Sequence, residues 1–73
     1  MAGIPARQSW PDLLHTHCDY AHKAIQQDRP DLRVINMIVD YDPEPRIEEF
    51  DRVIVWCIDD GSDYIVDRVP TQG

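Results

Sequence analysis

Apolar residues recur at the spacing of an amphipathic helix in the first half of the chain. Cys18, Ala21 and Ile25 lie three and four residues apart, and most of the positions between them are polar. This period predicts a helix over residues 16–28 with one apolar stripe facing a core. The helix should end there because Pro30 restricts the residue before it to extended backbone.

β-branched and alternating apolar residues in the second half predict strands. Residues 33–39 (RVINMIV) and 52–58 (RVIVWCI) have the composition of strands, and 64–69 (YIVDRV) would form a shorter one. The DDGS sequence at 59–62 offers the residues that a tight hairpin turn needs. The order helix, strand, long loop, strand, turn, strand predicts an α+β fold in which a single helix packs on a small β-sheet.

The helix, the strands and a tryptophan before the helix should form one core. Trp10 lies near the start of the chain, and so large an apolar side chain needs a buried position. Cys18 and Cys57 are too few for a disulfide-rich scaffold, and we expect two buried free thiols, with a disulfide as the alternative. The predicted core consists of Trp10, Leu13, Cys18, Ala21, Ile25, Val34, Val53, Val55 and Val69.

The composition is that of a small acidic protein. A chain of 73 residues allows one domain, and its net charge is −7. This charge argues against a nucleic-acid partner, because backbone phosphates would repel it, and favours basic partners through faster association. No apolar run is long enough to span a membrane, so we expect no membrane partner. No apolar stretch of signal-peptide length begins the chain, and the compartment stays open between cytoplasmic and secreted or vacuolar.

The connection between the two longer strands is the most unusual segment. Residues 40–50 (DYDPEPRIEEF) contain five acids, two prolines and one arginine. Tight hairpins use about two to five residues, and loops much longer than that are usually functional or disordered. Pro43 and Pro45 stiffen the segment and keep it out of central strand pairing. These features predict an exposed, extended and pre-ordered loop.

The sequence gives only weak support for a metal site or an active site. The loop acids offer oxygen ligands, but they lack EF-hand spacing, and a solvated acidic loop is the simpler interpretation. Cys18 and His22 could share a helix face as zinc ligands, but Cys18 belongs to the apolar stripe. The chain has no nucleophile elbow and no glycine-rich phosphate loop. We expect no metal, no cofactor and no enzymatic activity.

Four short motifs together resemble the potato type I family of serine protease inhibitors, which includes the barley chymotrypsin and subtilisin inhibitors. They are SWPDL at 9–13, QDRP at 27–30, DRV at 51–53 and VP at 69–70. The resemblance covers nearly the whole chain beyond residue 8. It implies an inhibitor domain over residues 9–73. The residues before it, 1–8, show no periodicity, and we expect them to form a flexible arm. It also implies that the two strands flanking the loop run parallel in a mixed sheet, as they do in the family.

The resemblance also assigns a reactive site. Counting back from DRV places Arg46 at the primary-specificity position and the scissile bond between Arg46 and Ile47. Arginine suits a trypsin-like pocket with an aspartate at its base. Counting forward from Pro30 puts Pro45 at this position instead, but proline would fit few serine proteases. The binding loop would further contain Pro43, Glu44, Pro45, Glu48 and Glu49.

Loop support is the feature on which inhibition depends. Family members brace the loop with two arginines from the following strand; Arg52 matches one of them, but Ile54 replaces the other. We expect Arg52 to reach Glu48 or Glu49, with Trp56 and Met37 packed under the loop base. The predicted function is inhibition of a serine endopeptidase, trypsin-like or alternatively subtilisin-like, by a monomer. The second hypothesis is a non-inhibitory interaction module, or a protease substrate, with a poorly braced loop.

Overall fold

The elements of the chain follow the order that the sequence predicts. The computed structural model describes residues 7–73, so most of the arm predicted over residues 1–8 lies outside the described residues. α1 has 11 residues, and no helix in the described range is long and apolar enough to cross a membrane. The elements are a short 3₁₀ helix (Pro11–Leu13), α1 (Cys18–Asp28), β1 (Arg33–Ile38), β2 (Arg52–Asp59), β3 (Tyr64–Val66) and β4 (Thr71–Gln72).

The four strands form one mixed sheet around β2. β1 pairs with β2 in parallel, and both β3 and β4 pair with β2 in antiparallel orientation. The α+β fold, the single helix on a small mixed sheet and the parallel pairing of the two longer strands are therefore confirmed. Parallel pairing requires a long crossover, which is the structural reason for the long connection between β1 and β2.

α1 begins two residues later than predicted. Thr16 does not cap it: its hydroxyl donates to the carbonyl oxygen of Leu13, 2.7 Å away. Its own carbonyl oxygen accepts the amide of Val66 at 2.8 Å, and His17 forms a bridge with Ile65. Residues 16 and 17 are therefore bonded to β3, His17 has extended backbone, and the helix starts at Cys18.

Most of the predicted core is buried between α1 and the sheet. The core includes Leu32, Cys57 and Val66 in addition to predicted residues. Val34 is only half-buried and packs against the cluster, since its strand lies at the sheet edge. Val69 was wrongly placed in the core: it is 37% exposed, because β3 ends at Val66 and Pro70 turns inward instead. The buried apolar residues are Trp10, Leu13, Cys18, Ala21, Ile25, Leu32, Val53, Val55, Trp56, Cys57 and Val66.

The expectation of two free thiols is wrong, because Cys18 and Cys57 form a disulfide. Cys18 opens α1 and Cys57 lies near the end of β2, and both face the same core. Their Cα atoms are 6.2 Å apart, within the range that a disulfide spans without moving the backbone. The bond joins the start of α1 to β2, the strand with which β1, β3 and β4 all pair.

The predicted turn between β2 and β3 is confirmed. Gly61 has a φ of 102°, a left-handed conformation that favours glycine. The carboxylate of Asp60 accepts hydrogen bonds from the amides of Ser62 and Asp63, and these bonds lower the pKa of Asp60. After this turn the chain returns as β3. The segment that follows Val66 then lies beside β2, where the amide of Asp67 donates to the carbonyl oxygen of Trp56.

Candidate functional site

The loop between β1 and β2, which we call the long loop (residues 39–51), crosses the length of the sheet. Ile38 lies beside Cys57 at one end of the parallel pair, and Arg33 lies beside Arg52 at the other. The chain must therefore travel back from the end of β1 to the start of β2. It contains neither helix nor strand, as the sequence predicts.

The long loop leaves β1 in a hydrogen-bonded turn. Asp40 has a φ of 65°, and the amides of Tyr41 and Asp42 both donate to the carbonyl oxygen of Ile38. The carboxylate of Asp42 in turn accepts the amide of Ile38 at 2.8 Å. Asp is among the few non-glycine residues that readily adopt this left-handed conformation. The start of the loop is thus fixed before the chain reaches the prolines.

The centre of the long loop is exposed to solvent. Every residue from 43 to 51 is exposed, with Ile47 at 75% and Phe50 at 89%. The side chain of Arg46 is exposed, and it takes part in none of the hydrogen bonds or ion pairs within residues 7–73. A long cationic side chain is therefore exposed on an irregular loop segment, with no side-chain partner among residues 7–73.

Arg52 holds the Ile47 side of the loop from below. Its side chain is only 8% exposed, and its Nη1 donates to the Glu49 carboxylate at 2.7 Å. Its Nη2 donates to the carbonyl oxygen of Ile47 at 2.8 Å, and its Nε donates to that of Gly73 at 3.3 Å. Of the two acids expected to pair with Arg52, the structure thus selects Glu49 rather than Glu48.

Arg33 adds a second guanidinium on the same side, which the sequence analysis missed. Its Nη2 donates to the Glu49 carboxylate at 2.6 Å. Its Nε and Nη2 also form a bidentate contact with the Asp51 carboxylate, at 3.0 and 3.2 Å. The hydrogen bond from Arg33 lowers the pKa of Asp51. Arg33 and Arg52 are the first residues of the two parallel strands and lie opposite each other, so the register of the strand pairing, which the sequence analysis did not fix, would have revealed this arginine pair.

Arg68 approaches the other half of the loop and was also missed. Its guanidinium donates to the carboxylate of Glu44 and lies over the ring of Trp56, 4.8 Å from the ring centroid. No sequence pattern predicted this contact, because Arg68 follows β3 and is far from Glu44 along the chain. The loop therefore meets arginines on both sides of the Arg46–Ile47 bond.

The end of the chain supports the last residues of the loop. The side-chain amide of Gln72 donates to the carbonyl oxygen of Phe50. The amide of Gly73 donates to the carbonyl oxygen of Arg52 at 2.8 Å. Together with the backbone bond from Arg33 to the Asp51 carbonyl oxygen, these contacts fix the return into β2 while the Phe50 side chain stays exposed.

A concavity of about 320 Å³ lies between the loop and the sheet. Trp56, which is nearly buried, forms part of its wall, whereas Met37 is not part of it. Ile54 stands where the family resemblance places a second bracing arginine, and its shorter side chain leaves space there. The lining residues are Glu44, Pro45, Ile47, Glu48, Arg52, Ile54, Trp56 and Gly73.

The structure brings the predicted binding-loop residues together on one exposed segment, with the predicted support residues Arg52 and Trp56 beneath it. Their roles toward a protease stay predictions at this point. Within residues 7–73, no group of three or more His, Cys, Asp or Glu side chains is placed to hold a metal ion. The arrangement offers recognition through an exposed arginine and backbone, with charged braces behind it.

Comparisons with known proteins agree on one family. The sequence profile of the Potato inhibitor I family matches residues 2–73. Among solved structures, the crystal structure of bitter gourd trypsin inhibitor superposes with a TM-score of 0.81 at 29% sequence identity. The match covers 99% of this chain and 100% of that chain. No sequence among the curated proteins matches this chain.

Proposed function

The chain belongs to the Potato inhibitor I family of serine protease inhibitors and is not an enzyme, and from this we propose that it inhibits trypsin-like proteases through the Arg46–Ile47 bond. The observation that carries the proposal is an exposed Arg46 without a partner in the described chain, on a loop whose two flanks are held by arginines. Pro43, Glu44, Pro45, Glu48 and Glu49 complete the binding loop.

The proposed mechanism is substrate-like binding. The exposed backbone around Arg46 adds to the protease as a strand would, and the Arg46 side chain fills the specificity pocket. A loop that is already ordered loses little further entropy on binding, so it binds tightly. If the protease cleaves the bond, Arg52 holds the carbonyl oxygen of Ile47 at 2.8 Å and keeps the new amine near the acyl-enzyme. Religation then competes with hydrolysis because the two groups react at a high effective concentration.

Two observations favour a trypsin-like target over a subtilisin-like one. Arginine at the primary position is complementary to a pocket that contains a buried aspartate. The similar bitter gourd protein is a trypsin inhibitor, at 29% identity. The net charge of −7 would also speed association with basic proteases, and this effect should weaken with added salt. We propose that the inhibitor acts as a monomer, because the loop alone supplies the contact surface.

The test compares inhibition of trypsin, chymotrypsin and subtilisin by wild type and Arg46 variants. Truncating one partner of a buried charge pair costs about 2–5 kcal/mol, so Arg46→Ala should weaken trypsin inhibition by at least about 30-fold. Arg46→Leu and Arg46→Met should shift preference toward chymotrypsin or subtilisin. Arg7→Ala removes another exposed arginine far from the loop along the chain and is the control.

Two results would contradict the proposal. Wild-type protein that inhibits none of the three proteases would favour the alternative of a non-inhibitory module of the same fold. Arg46→Ala that inhibits trypsin as well as Arg7→Ala would show that another residue occupies the specificity pocket.

A further inference from the structure

The two halves of the long loop are held by different parts of the fold. The Ile47 half is bonded to Arg33 and Arg52, which open β1 and β2. On the Arg46 half, beyond the turn that ends β1, Glu44 is bonded to Arg68, which belongs to the segment between β3 and β4. The Arg46–Ile47 bond lies between these two attachments.

Arg68 is itself held in place, which distinguishes its ion pair from an ordinary surface pair. Exposed ion pairs usually contribute little, because both side chains must give up freedom to meet. Here the guanidinium lies over Trp56, a nearly buried residue of β2, at 4.8 Å from the ring centroid. The amide of Asp67, the residue before it, donates to the carbonyl oxygen of Trp56 at 2.8 Å. Backbone and side chain thus both fix Arg68 to β2.

We propose that Arg68 is the positioning residue for the Arg46 half of the loop and that its contact with Glu44 sets how readily the cleaved bond is resealed. This inference rests on the proposed function, since it assigns a role in the inhibitory cycle. Ile54 offers the loop no charged group, whereas Arg68 supplies a guanidinium to Glu44 from another element.

The chemistry shows why this position matters. In cleavage, the bond between the Arg46 carbonyl carbon and the Ile47 nitrogen breaks, the protease serine oxygen takes the acyl group, and the Ile47 nitrogen gains a proton. Water then attacks the acyl carbon, releases the serine oxygen and leaves a free Arg46 carboxyl group. Resealing runs back through the same steps: the serine oxygen re-forms the ester with loss of that water, and the Ile47 amine then attacks the acyl carbon, gives up a proton to the protease and releases the serine. The Ile47 amine and the Arg46 acyl carbon must stay close together and correctly oriented for this attack. Arg52 fixes the amine end, and Arg68 fixes the acyl end through Glu44.

The experiment measures the ratio of cleaved to intact protein at equilibrium. Catalytic trypsin is added to wild type, Arg68→Ala, Arg68→Lys and Arg7→Ala, starting from both the intact and the cleaved form, and the ratio is read by mass spectrometry. Arg7 is a matched control, because it also lies over a tryptophan and pairs with a carboxylate, but among residues outside the long loop. Arg68→Ala should raise the ratio by about 2- to 5-fold, the upper range of an exposed ion pair, because only the contact with Glu44 differs between the intact and cleaved forms. Arg68→Lys should restore part of it.

A second measurement does not depend on the protease. The ¹⁵N order parameters of the Glu44 and Arg46 amides should fall in Arg68→Ala and stay unchanged in Arg7→Ala. Glu44→Gln combined with Arg68→Ala should have no larger effect than Arg68→Ala alone, since both remove the same contact.

The outcomes separate this inference from the proposed function. A ratio and order parameters equal to those of Arg7→Ala would overturn the role of Arg68, even if wild type inhibits trypsin. Wild type that trypsin cleaves without being inhibited would overturn the proposed function. In that case lowered Glu44 and Arg46 order parameters would still support the positioning contact, and unchanged ones would refute it.

Discussion

Removing the Arg52 side chain should loosen the Ile47 half of the loop more than it destabilises the fold. Arg52 is the guanidinium that contacts both a loop carboxylate and a loop carbonyl, at 2.7 Å to Glu49 and 2.8 Å to Ile47. In Arg52→Ala the carboxylate keeps its contact with Arg33 at 2.6 Å, whereas the Ile47 carbonyl oxygen loses its charged donor. The perturbation therefore falls on the backbone next to the proposed scissile bond.

The size of the effect follows from these contacts. A hydrogen bond to a charged group contributes about 1.5–3 kcal/mol. Because Arg33 partly compensates at Glu49, we count the Ile47 contact fully and the Glu49 contact only in small part, which gives about 2–3 kcal/mol. When the loop must be reordered on binding, this becomes a rise in the trypsin inhibition constant of about 30- to 150-fold.

The assay compares inhibition constants with a control for global destabilisation. Arg52 is buried and also bonds Gly73, so its loss lowers the melting temperature as well. Ile25→Val, a fully buried change in α1, costs about 0.5–1.5 kcal/mol of stability away from the loop. It should lower the melting temperature without changing the inhibition constant. If Arg52→Ala raises the inhibition constant no more than Ile25→Val does, Arg52 is a structural residue and the bracing argument is wrong.

Three further predictions concern the disulfide, the pH dependence of stability and the concavity. The disulfide closes a loop between cysteines that are 39 residues apart, so replacing Cys18 and Cys57 by alanine should lower the unfolding free energy by about 4 kcal/mol. Urea titrations measure this loss, and a loss below about 1 kcal/mol would contradict the prediction. Because Arg33 lowers the pKa of Asp51 below its usual 3.8, the carboxylate stabilises the fold above that pH and loses this effect as pH falls through the lowered pKa. Asp51→Asn should therefore lower stability more at pH 7 than at pH 2, and equal losses would refute the contact. Ile54→Arg should place a second guanidinium in the concavity and tighten trypsin inhibition; unchanged inhibition with an intact fold would show that the present braces suffice.

The element order and the path of the loop were predictable because they depend on local patterns. The period of Cys18, Ala21 and Ile25 marks the buried face of α1, and Pro30 marks its end within one turn. The prolines and acids of residues 40–50 predicted an exposed connection, and the structure has one. The parallel pairing came from the family resemblance, since strand composition alone does not give direction.

The contacts that depend on tertiary geometry were the ones that could not be predicted. Thr16 and His17 are bonded to β3, so the apolar period, which is a local pattern, placed the helix start two residues too early. The disulfide depends on the 6.2 Å between the Cα atoms of Cys18 and Cys57, which no spacing along the chain encodes. Arg68 likewise meets Glu44 only because the turn after β2 returns the chain beside the loop.

The central claim is that the long loop is an inhibitor loop rather than a substrate loop, and its response to trypsin tests this most directly. The protein is incubated with a small amount of trypsin while intact mass and residual trypsin activity are followed together. We predict slow, incomplete cleavage at the Arg46–Ile47 bond alone, with trypsin activity suppressed throughout. Rapid and complete cleavage at that bond, with trypsin activity fully retained, would contradict the account.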